Sequence, residues 1–378
     1  MAADFARLRV MFVDHSGLPG GGQLGLARYM AASTMFETSV VLLGPGQVFN
    51  QHGVKVERVL SNSNGKVQHH TLALRLARTI ARGRPDVVIA NSTRAASVLS
   101  MIPRRRGTTY ICHMRDDLNP ARNSRRKIKF MTDFVLRSFD GVIANSEWTL
   151  STVPQRALRR LSSAVANPVS GARCATQVRG HGLPLIFLSL SRLDEWKGIH
   201  HLVAAGALLE RDGYRGKFMI QIAGAAMHAN PDFEKQLRRL ARPLGTSAQF
   251  LGHVEDTARL LRSCHVLVCA SVTPEPFGQV VVQGLAGGLA VIATDQGGPR
   301  EVLSDRAGLL VEPNDPRALA DAMARLIDHP TETQRLQERG LKRAAVYTDH
   351  ETVRMMDAAI NNIVRSRKSA DHANRPTP

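Results

Sequence analysis

Short apolar runs, each of strand length and each followed by a stretch of helical character, constrain this chain more than any other feature. They fall at 8–13, 40–43, 54–60, 86–90, 108–113 and 141–144, and again at 185–190, 218–223, 248–251, 265–270, 289–293 and 309–311. Within them apolar residues are continuous rather than alternating, so each strand must be covered on both faces. Strands of that kind alternating with helices make parallel α/β sheets. At 378 residues the chain exceeds what one core supports, and two domains are expected. The apolar pattern lapses over 171–184, which reads as a linker. The expected division is an N-terminal domain at 1–170, that linker, and a second domain at 185–349. A closing helix at 350–367 follows, its stripe of Val353, Met356, Ile360, Ile363 and Val364 suited to packing back on the first domain, and then a polar, disordered tail at 368–378.

A net charge of +18 points to anionic partners: phosphate-bearing substrates, an acidic membrane surface or nucleic acid. Aromatic residues are only 5% of the chain, too sparse for base-stacking platforms, so no nucleic acid is expected. Cys112, Cys174, Cys264 and Cys269 show no CxxC spacing and fit reduced thiols of a cytosolic protein, with no metal site. The apolar start is too short for a signal segment, and no run approaches the roughly 20 residues of a membrane span. Membrane contact would have to be peripheral.

Ligands of parallel sheets sit beyond the carboxyl ends of the strands. Several polar groups fall there. After the first strand comes Gly17-Leu18-Pro19-Gly20-Gly21-Gly22-Gln23, either a plain turn or a loop whose N–H groups approach a ligand. His113 ends its strand, as a polar terminus or as a ligand-facing imidazole. Arg115 and Asp116 could pair with each other or with substrate. Nine basic residues lie between Arg104 and Lys129, opposed by Asp116 and Asp117 alone. Asn119-Pro120 predicts a helix start, with Asn as cap. Beyond it Ile128, Met131 and Val135 mark an inner face, and Arg122, Arg125, Arg126 and Lys129 lie outside that stripe. The basic surface is either solvated or a platform for anionic lipid or a lipid-diphosphate acceptor.

In the second half, Ser191-Arg192-Leu193-Asp194-Glu195-Trp196-Lys197-Gly198 follows a strand. Arg192 and Lys197 suit a diphosphate clamp, unless Asp194 and Glu195 neutralise them. Pro274 and Pro276 then stop the strand at 265–270, leaving Glu275 in a loop before a helix that opens near Gly278. A carboxylate beside a free helix N-terminus can hold an anion and grip hydroxyls next to it. Another glycine turn, Gly297-Gly298-Pro299, precedes Glu301.

Taken in order, these motifs resemble one family. Gly21-Gly22, Pro85-Asp86-Val87-Val88, Asn145-Ser146-Glu147, Ser191-Arg192-Leu193 with Lys197-Gly198, and Phe250-Leu251-Gly252-His253-Val254 match it. So do Glu275-Pro276-Phe277-Gly278, Gly297-Gly298-Pro299 with Glu301, and Gly308-Leu309-Leu310-Val311. The chain resembles the retaining glycosyltransferases of family 4, the group 1 glycosyl transferases. The likeness is strongest from about 185 to 327. It implies two facing Rossmann-like domains of the GT-B type with an interdomain cleft. It also implies transfer of a hexosyl unit from a nucleotide diphosphate sugar to a sugar or lipid-linked acceptor, as in bacterial surface polysaccharide or glycolipid assembly. No cofactor or metal is implied, since cationic side chains and a helix end replace the metal.

Residue by residue, the resemblance gives Arg192 and Lys197 to the donor diphosphate, Glu275 to the donor sugar, and His113 to the transferred sugar. Gly21, Gly22, Gly252, Phe277, Gly278, Gln279 and Val280 would line the donor site, with Gln283 at its ribose. The family has Glu at that last position. The neutral amide should weaken a charge-assisted bond by roughly 1 kcal/mol without abolishing activity. Arg122, Arg125, Arg126 and Lys129 would face the acceptor or the inner surface of the cell membrane, placing the enzyme in the cytoplasm. Two rivals stand beside this: a nucleotide-sugar epimerase of the same fold, and a basic lipid- or nucleic-acid-binding protein with a degenerate active site, for which Gln283 argues.

Overall fold

A computed structural model describes residues 7–62, 69–158, 161–169, 184–226 and 231–373. The described residues up to Pro168 and those from Asp349 onward form one compact unit, and Val169–Thr348 form a second. Except for Pro184, the expected linker at 171–184 lies outside the described residues, as does Cys174.

In the first unit seven parallel strands form one sheet: β1 (Arg9–Asp14), β2 (Glu37–Leu42), β3 (Val56–Val59), β4 (Val87–Ala90), β5 (Thr109–Met114), β6 (Gly141–Ala144) and β7 (Ser162–Ala164), in the order β3-β2-β1-β4-β5-β6-β7. Alternate residues feed separate cores. Met11 and Val13 of β1 join Val88 and Ala90 of β4 on one face. Val10 and Phe12 join Val87 and Ile89 on the other. That division is why the strands are apolar at nearly every position. The second core is closed by the helix Asp349–Ala373, whose Val353, Met356, Ile360, Ile363 and Val364 are all buried in it. Asp357 fixes that helix by accepting hydrogen bonds from Tyr29 Oη (2.5 Å) and Ser33 Oγ (3.0 Å). Gly141 lets the helix approach, since a Cβ there would meet Ile363 at 2.7 Å.

Three differences from expectation have local causes. Strand β7 has no apolar run and owes its extension to pairing with β6. Asn119-Pro120 opens a turn, Asn119 Oδ1 accepting from the Ala121 N–H at 2.9 Å. The helix begins later, at Arg125–Phe130, where Ser124 accepts from the Lys127 N–H. The C-terminal helix runs on to Ala373, so 368–373 are helical rather than tail, and 374–378 lie outside the described residues.

The second unit repeats the plan with β8 (Leu185–Leu190), β9 (Phe218–Ala223), β10 (Ala248–Gly252), β11 (Val266–Cys269), β12 (Ala290–Thr294) and β13 (Leu309–Val311), ordered β10-β9-β8-β11-β12-β13. Helices Ile199–Arg211 and Pro316–Asp328 cover one face. Helices Gln279–Ala286 and Pro330–Ala344 pack on the other. Gly284 sets the first of these against β11: a Cβ would lie 2.7 Å from the Leu267 side chain. In both sheets the strand order reverses once, between β1 and β4 and between β8 and β11. At such a switch point the connections leave in opposite directions and open a crevice beyond the strands' carboxyl ends.

Candidate active site

The β8/β11 switch point brings together groups far apart in sequence. The segment after β8 ends at Gly198, which caps the helix Ile199–Arg211 with φ +67 and lies so close to the Ala270 carbonyl that no Cβ fits between them. The Val272 N–H donates to the Trp196 carbonyl at 2.8 Å, tying this segment to the loop after β11. The tie places Lys197 against Glu275. Lys197 Nζ donates to Glu275 Oε1 at 2.7 Å, and the same oxygen accepts from Ser271 Oγ (2.5 Å) and Cys269 Sγ (3.4 Å). Glu275 is only 6% exposed. Burial alone would favour its neutral form, but the Lys197 charge and these three donors outweigh it and hold the carboxyl below its ordinary value. The stabilisation from that ionisation is therefore full above about pH 4.5 and is lost as pH falls through the lowered folded value.

A second tier supports the first. The Ser271 carbonyl accepts from Thr294 Oγ1 (2.9 Å), at the end of β12, and from Gln296 Nε2 (2.7 Å), just beyond it. Gly297 and Gly298 press on the loop itself. A Cβ at Gly297 would lie 2.5 Å from the Glu275 carbonyl oxygen, and one at Gly298 2.5 Å from Phe277 Cα. The Gly298 N–H donates to the Glu275 carbonyl at 2.8 Å. The glycine turn is thus a clamp on the Glu275 loop. Sequence reasoning singled out Glu275 and Lys197 but missed Ser271, Cys269, Thr294 and Gln296, whose part depends on which strands become neighbours.

Gly278, at φ +84, opens the helix Gln279–Ala286, and no side chain caps that end. Phe277 is buried edge-on against Tyr347, with ring centroids 5.9 Å apart. Gln283 lies half-buried on the same helix. Gly252 ends β10 at φ +67, and its carbonyl accepts from the Gly224 N–H at 2.7 Å. Arg192 is more than half exposed and pairs with Asp194 at 3.1 Å.

At the β1/β4 switch point the charge at the strand end is Asp14, fully buried. It accepts from Gln23 Nε2 (2.9 Å), Asn91 Nδ2 (2.5 Å) and His15 Nδ1 (2.9 Å). That hydrogen bond raises the His15 pKa, with Asp14 and Asp116 charges adding to it and burial opposing. Arg115 donates to Asn91 Oδ1 (2.9 Å) and to Asn167 Oδ1, so amides rather than Asp116 hold its guanidinium. Burial lowers its pKa to about 10, against the pull of Asp14 and Asp116, and it stays charged at neutral pH.

Of the glycine loop, Gly17 serves the fold: a Cβ there would lie 2.7 Å from the Gly46 carbonyl oxygen. Gly21 and Gly22 instead start the helix Gly21–Ala32, whose N-cap Gly20 supplies no side-chain bond. His113, on β5, is 3% exposed, and among the described residues neither ring nitrogen has a hydrogen-bond partner. Burial, with a smaller contribution from the Arg115 charge, drives its pKa well below 6.5 and keeps the ring neutral. Arg122, Arg125, Arg126 and Lys129 lie exposed along the turn and helix that end at Phe130. Among the described residues no three His, Cys, Asp or Glu side chains cluster to hold a metal ion. No helix among those residues is long and apolar enough to cross a membrane.

Comparison with known proteins agrees with this fold. The family model for glycosyl transferases group 1 matches residues 178–343, and that for the glycosyl transferase 4-like domain matches 22–168. The lipopolysaccharide core biosynthesis glycosyltransferase LpsE of Rhizobium meliloti is 25% identical over 86% of this chain and 91% of its own. The D-inositol 3-phosphate glycosyltransferase of Corynebacterium urealyticum is 29% identical over 47% of this chain and 44% of its own. The crystal structure of Anabaena HepE in complex with UDP superimposes with a TM-score of 0.80 at 23% identity, over 94% of this chain and 100% of that one. The apo lipopolysaccharide outer core galactosyltransferase WaaB does so with a TM-score of 0.72 at 15% identity, over 95% and 100%. With its two Rossmann-like sheets of the GT-B type and a match to the family in each, the chain belongs to the group 1 glycosyltransferases.

Proposed function

We propose that this enzyme moves a hexosyl unit from a nucleoside diphosphate sugar to an acceptor hydroxyl with retention of the anomeric configuration, in bacterial surface polysaccharide or glycolipid assembly. The observation that carries the proposal is the buried Glu275 carboxylate, charged and held by Lys197 beside the uncapped helix start at Gly278. One side of that loop suits sugar hydroxyls and the other suits phosphate. LpsE belongs to lipopolysaccharide core biosynthesis by name, and HepE has been crystallised with UDP-glucose, which favours a donor of this class.

In the proposed step the acceptor oxygen bonds to the anomeric carbon on the face that the diphosphate leaves. The carbon–oxygen bond to the phosphate breaks, and the hydroxyl proton passes to the departing phosphate oxygen. Lys197 and the helix N–H groups stabilise the charge that grows there. Arg192 joins them by exchanging Asp194 for phosphate, a small cost because an exposed ion pair contributes little. These groups supply the positive charge without a metal. Glu275 orients the sugar, His113 offers its free ring nitrogens to a hydroxyl of the transferred unit, and Gln283 faces the ribose. The helix start at Gly21-Gly22, which no side chain caps, suits a phosphate in the same way. Arg122, Arg125, Arg126 and Lys129 meet an anionic lipid-linked acceptor or the cytoplasmic face of the membrane.

Thermal-shift measurements with UDP-, GDP- and ADP-hexoses test the donor class, because a ligand that binds only the folded form raises Tm. One of them should stabilise the enzyme and be consumed on addition of an acceptor glycolipid, in the presence of a chelator, giving a product with the donor's anomeric configuration. No stabilisation by any of the three, or an isomerised donor formed without acceptor, overturns the proposal.

A further inference from the structure

Two aromatic rings at the end of the basic helix face solvent, Phe130 as its last residue and Phe134 in the π-helical turn Met131–Val135 that follows it. Phe130 is 47% exposed and Phe134 66%, and their rings stack with centroids 6.1 Å apart at 29°. The stacking puts both rings on one side of the helix and the turn that continues it. The opposite face is already committed: Met131, Val135 and Leu136 are buried in the core, with Ile128 packed against it. The phenyl rings are therefore not what seats the helix. Exposed cations bracket them, with Arg125, Arg126, Lys127 and Lys129 before the pair and Arg137 after it. The one acidic side chain in this stretch, Asp133, is engaged with Arg156 at 3.4 Å.

An exposed aromatic pair flanked by exposed cations matches an apolar layer beneath a sheet of negative charge. We propose that Phe130 and Phe134 insert together into the acyl boundary of an anionic bilayer, while Arg125, Arg126, Lys127, Lys129 and Arg137 bind the headgroup phosphates above them. This rests on the membrane contact in the proposed function and adds an apolar anchor to it. Cations alone give attachment that salt removes within a Debye length. Buried rings give a component that salt leaves in place.

Flotation of the full chain with vesicles of phosphatidylcholine alone, or with added phosphatidylglycerol, separates the components. The wild type is expected to bind only the anionic vesicles, with a residue that persists at high salt. F130A/F134A should bind them about tenfold more weakly at physiological salt and lose the salt-resistant residue. Its circular dichroism and Tm should match the wild type, since both rings are exposed. R126E and K129E should each cost about fivefold. In F134W, emission should shift to the blue on vesicle addition, relative to the wild-type background from Trp148 and Trp196. Equal binding by wild type and F130A/F134A overturns the insertion, as does an absence of wild-type binding to either vesicle. No donor is present in these assays, so their failure leaves sugar transfer standing. A protein that binds vesicles but transfers no sugar would overturn only the enzymatic proposal.

Discussion

At the β8/β11 switch point a buried carboxylate is matched to a full set of donors, whereas across the first sheet the polar groups are matched unevenly. Glu275 has a direct cation, Lys197, and two further donors on one oxygen. Asp14 has amides and one imidazole around it, and the Arg115 guanidinium, which feels its charge, bonds to amides instead. On β5, neither His113 ring nitrogen has a hydrogen-bond partner among the described residues. A carboxylate in a dry site stays ionised only if its surroundings supply positive charge and hydrogen bonds. The second unit has built that environment in advance. The first leaves an imidazole without a partner among the described residues, the one proposed to meet the transferred sugar. One site is preorganised, and in the proposed reaction the other is completed by its ligand.

The largest test falls on the ion pair. K197M strands the Glu275 charge in the interior, where breaking one side of a buried pair costs about 3–5 kcal/mol. Chemical denaturation should show that loss, and kcat should fall on the order of 10²–10³ if Lys197 also stabilises the leaving phosphate. E275Q in the K197M background should recover part of the stability and none of the turnover. The matching change in the first unit, D14N, should cost less, because amide donors tolerate a neutral acceptor better than a cation does. If D14N is as damaging as K197M, the contrast between the two switch points does not hold.

Much of this architecture was legible because it is written in local pattern. Runs such as Leu185–Leu190 and Phe218–Ala223 are apolar at nearly every position, and both are strands. Glu275 announced itself through its flanking prolines and the glycine after them. What was not legible depends on contacts made in space. Ser162-Ser163-Ala164 became a strand only because β6 offered it an edge. Asn119-Pro120 carried a helix-start signal, but Ser124 took the cap five residues on. Gly297-Gly298 read as a turn. Its need for glycine comes from the Glu275 and Phe277 backbone, on a different strand connection. Ser271 carried no signal at all, because nothing in Ala270-Ser271-Val272 says that a carboxylate four residues later folds back onto it.

Ser271 therefore gives the next test. S271A removes the 2.5 Å donor to Glu275 Oε1 and keeps Lys197. A hydrogen bond to a charged group is worth about 1.5–3 kcal/mol, and the variant should lose that much stability. Because the lost bond favoured the ionised form, the Glu275 pKa should rise toward its ordinary value. Acid unfolding should then begin at higher pH than in the wild type, while K197M shifts it further. Turnover should fall about tenfold, with KM for the donor less affected. An unchanged acid limb in S271A would mean that Lys197, with Cys269, sets the ionisation, and that the second tier of Thr294 and Gln296 supports backbone rather than charge.

His113 carries the smallest effect and tests the other half of the contrast. Its folded pKa lies well below 6.5 because burial, and then the Arg115 charge, disfavour the imidazolium. The unfolded chain takes up a proton near 6.5 that the folded chain refuses. Stability is therefore at its full value above pH 6.5 and declines as pH falls toward the folded pKa, by at most about 1.4 kcal/mol per pH unit. H113L removes both orphaned nitrogens and the titration with them. At pH 8 it should be about 1 kcal/mol more stable than the wild type, since a buried unsatisfied polar group is a net cost. The gap in denaturation midpoint should widen steadily between pH 7 and pH 5. Turnover should drop in the same variant, because the nitrogens that cost stability are those proposed to meet the transferred sugar. A loss of stability at pH 8, with a gap that does not change on acidification, would mean that His113 is satisfied in the free enzyme and that both units are preorganised alike.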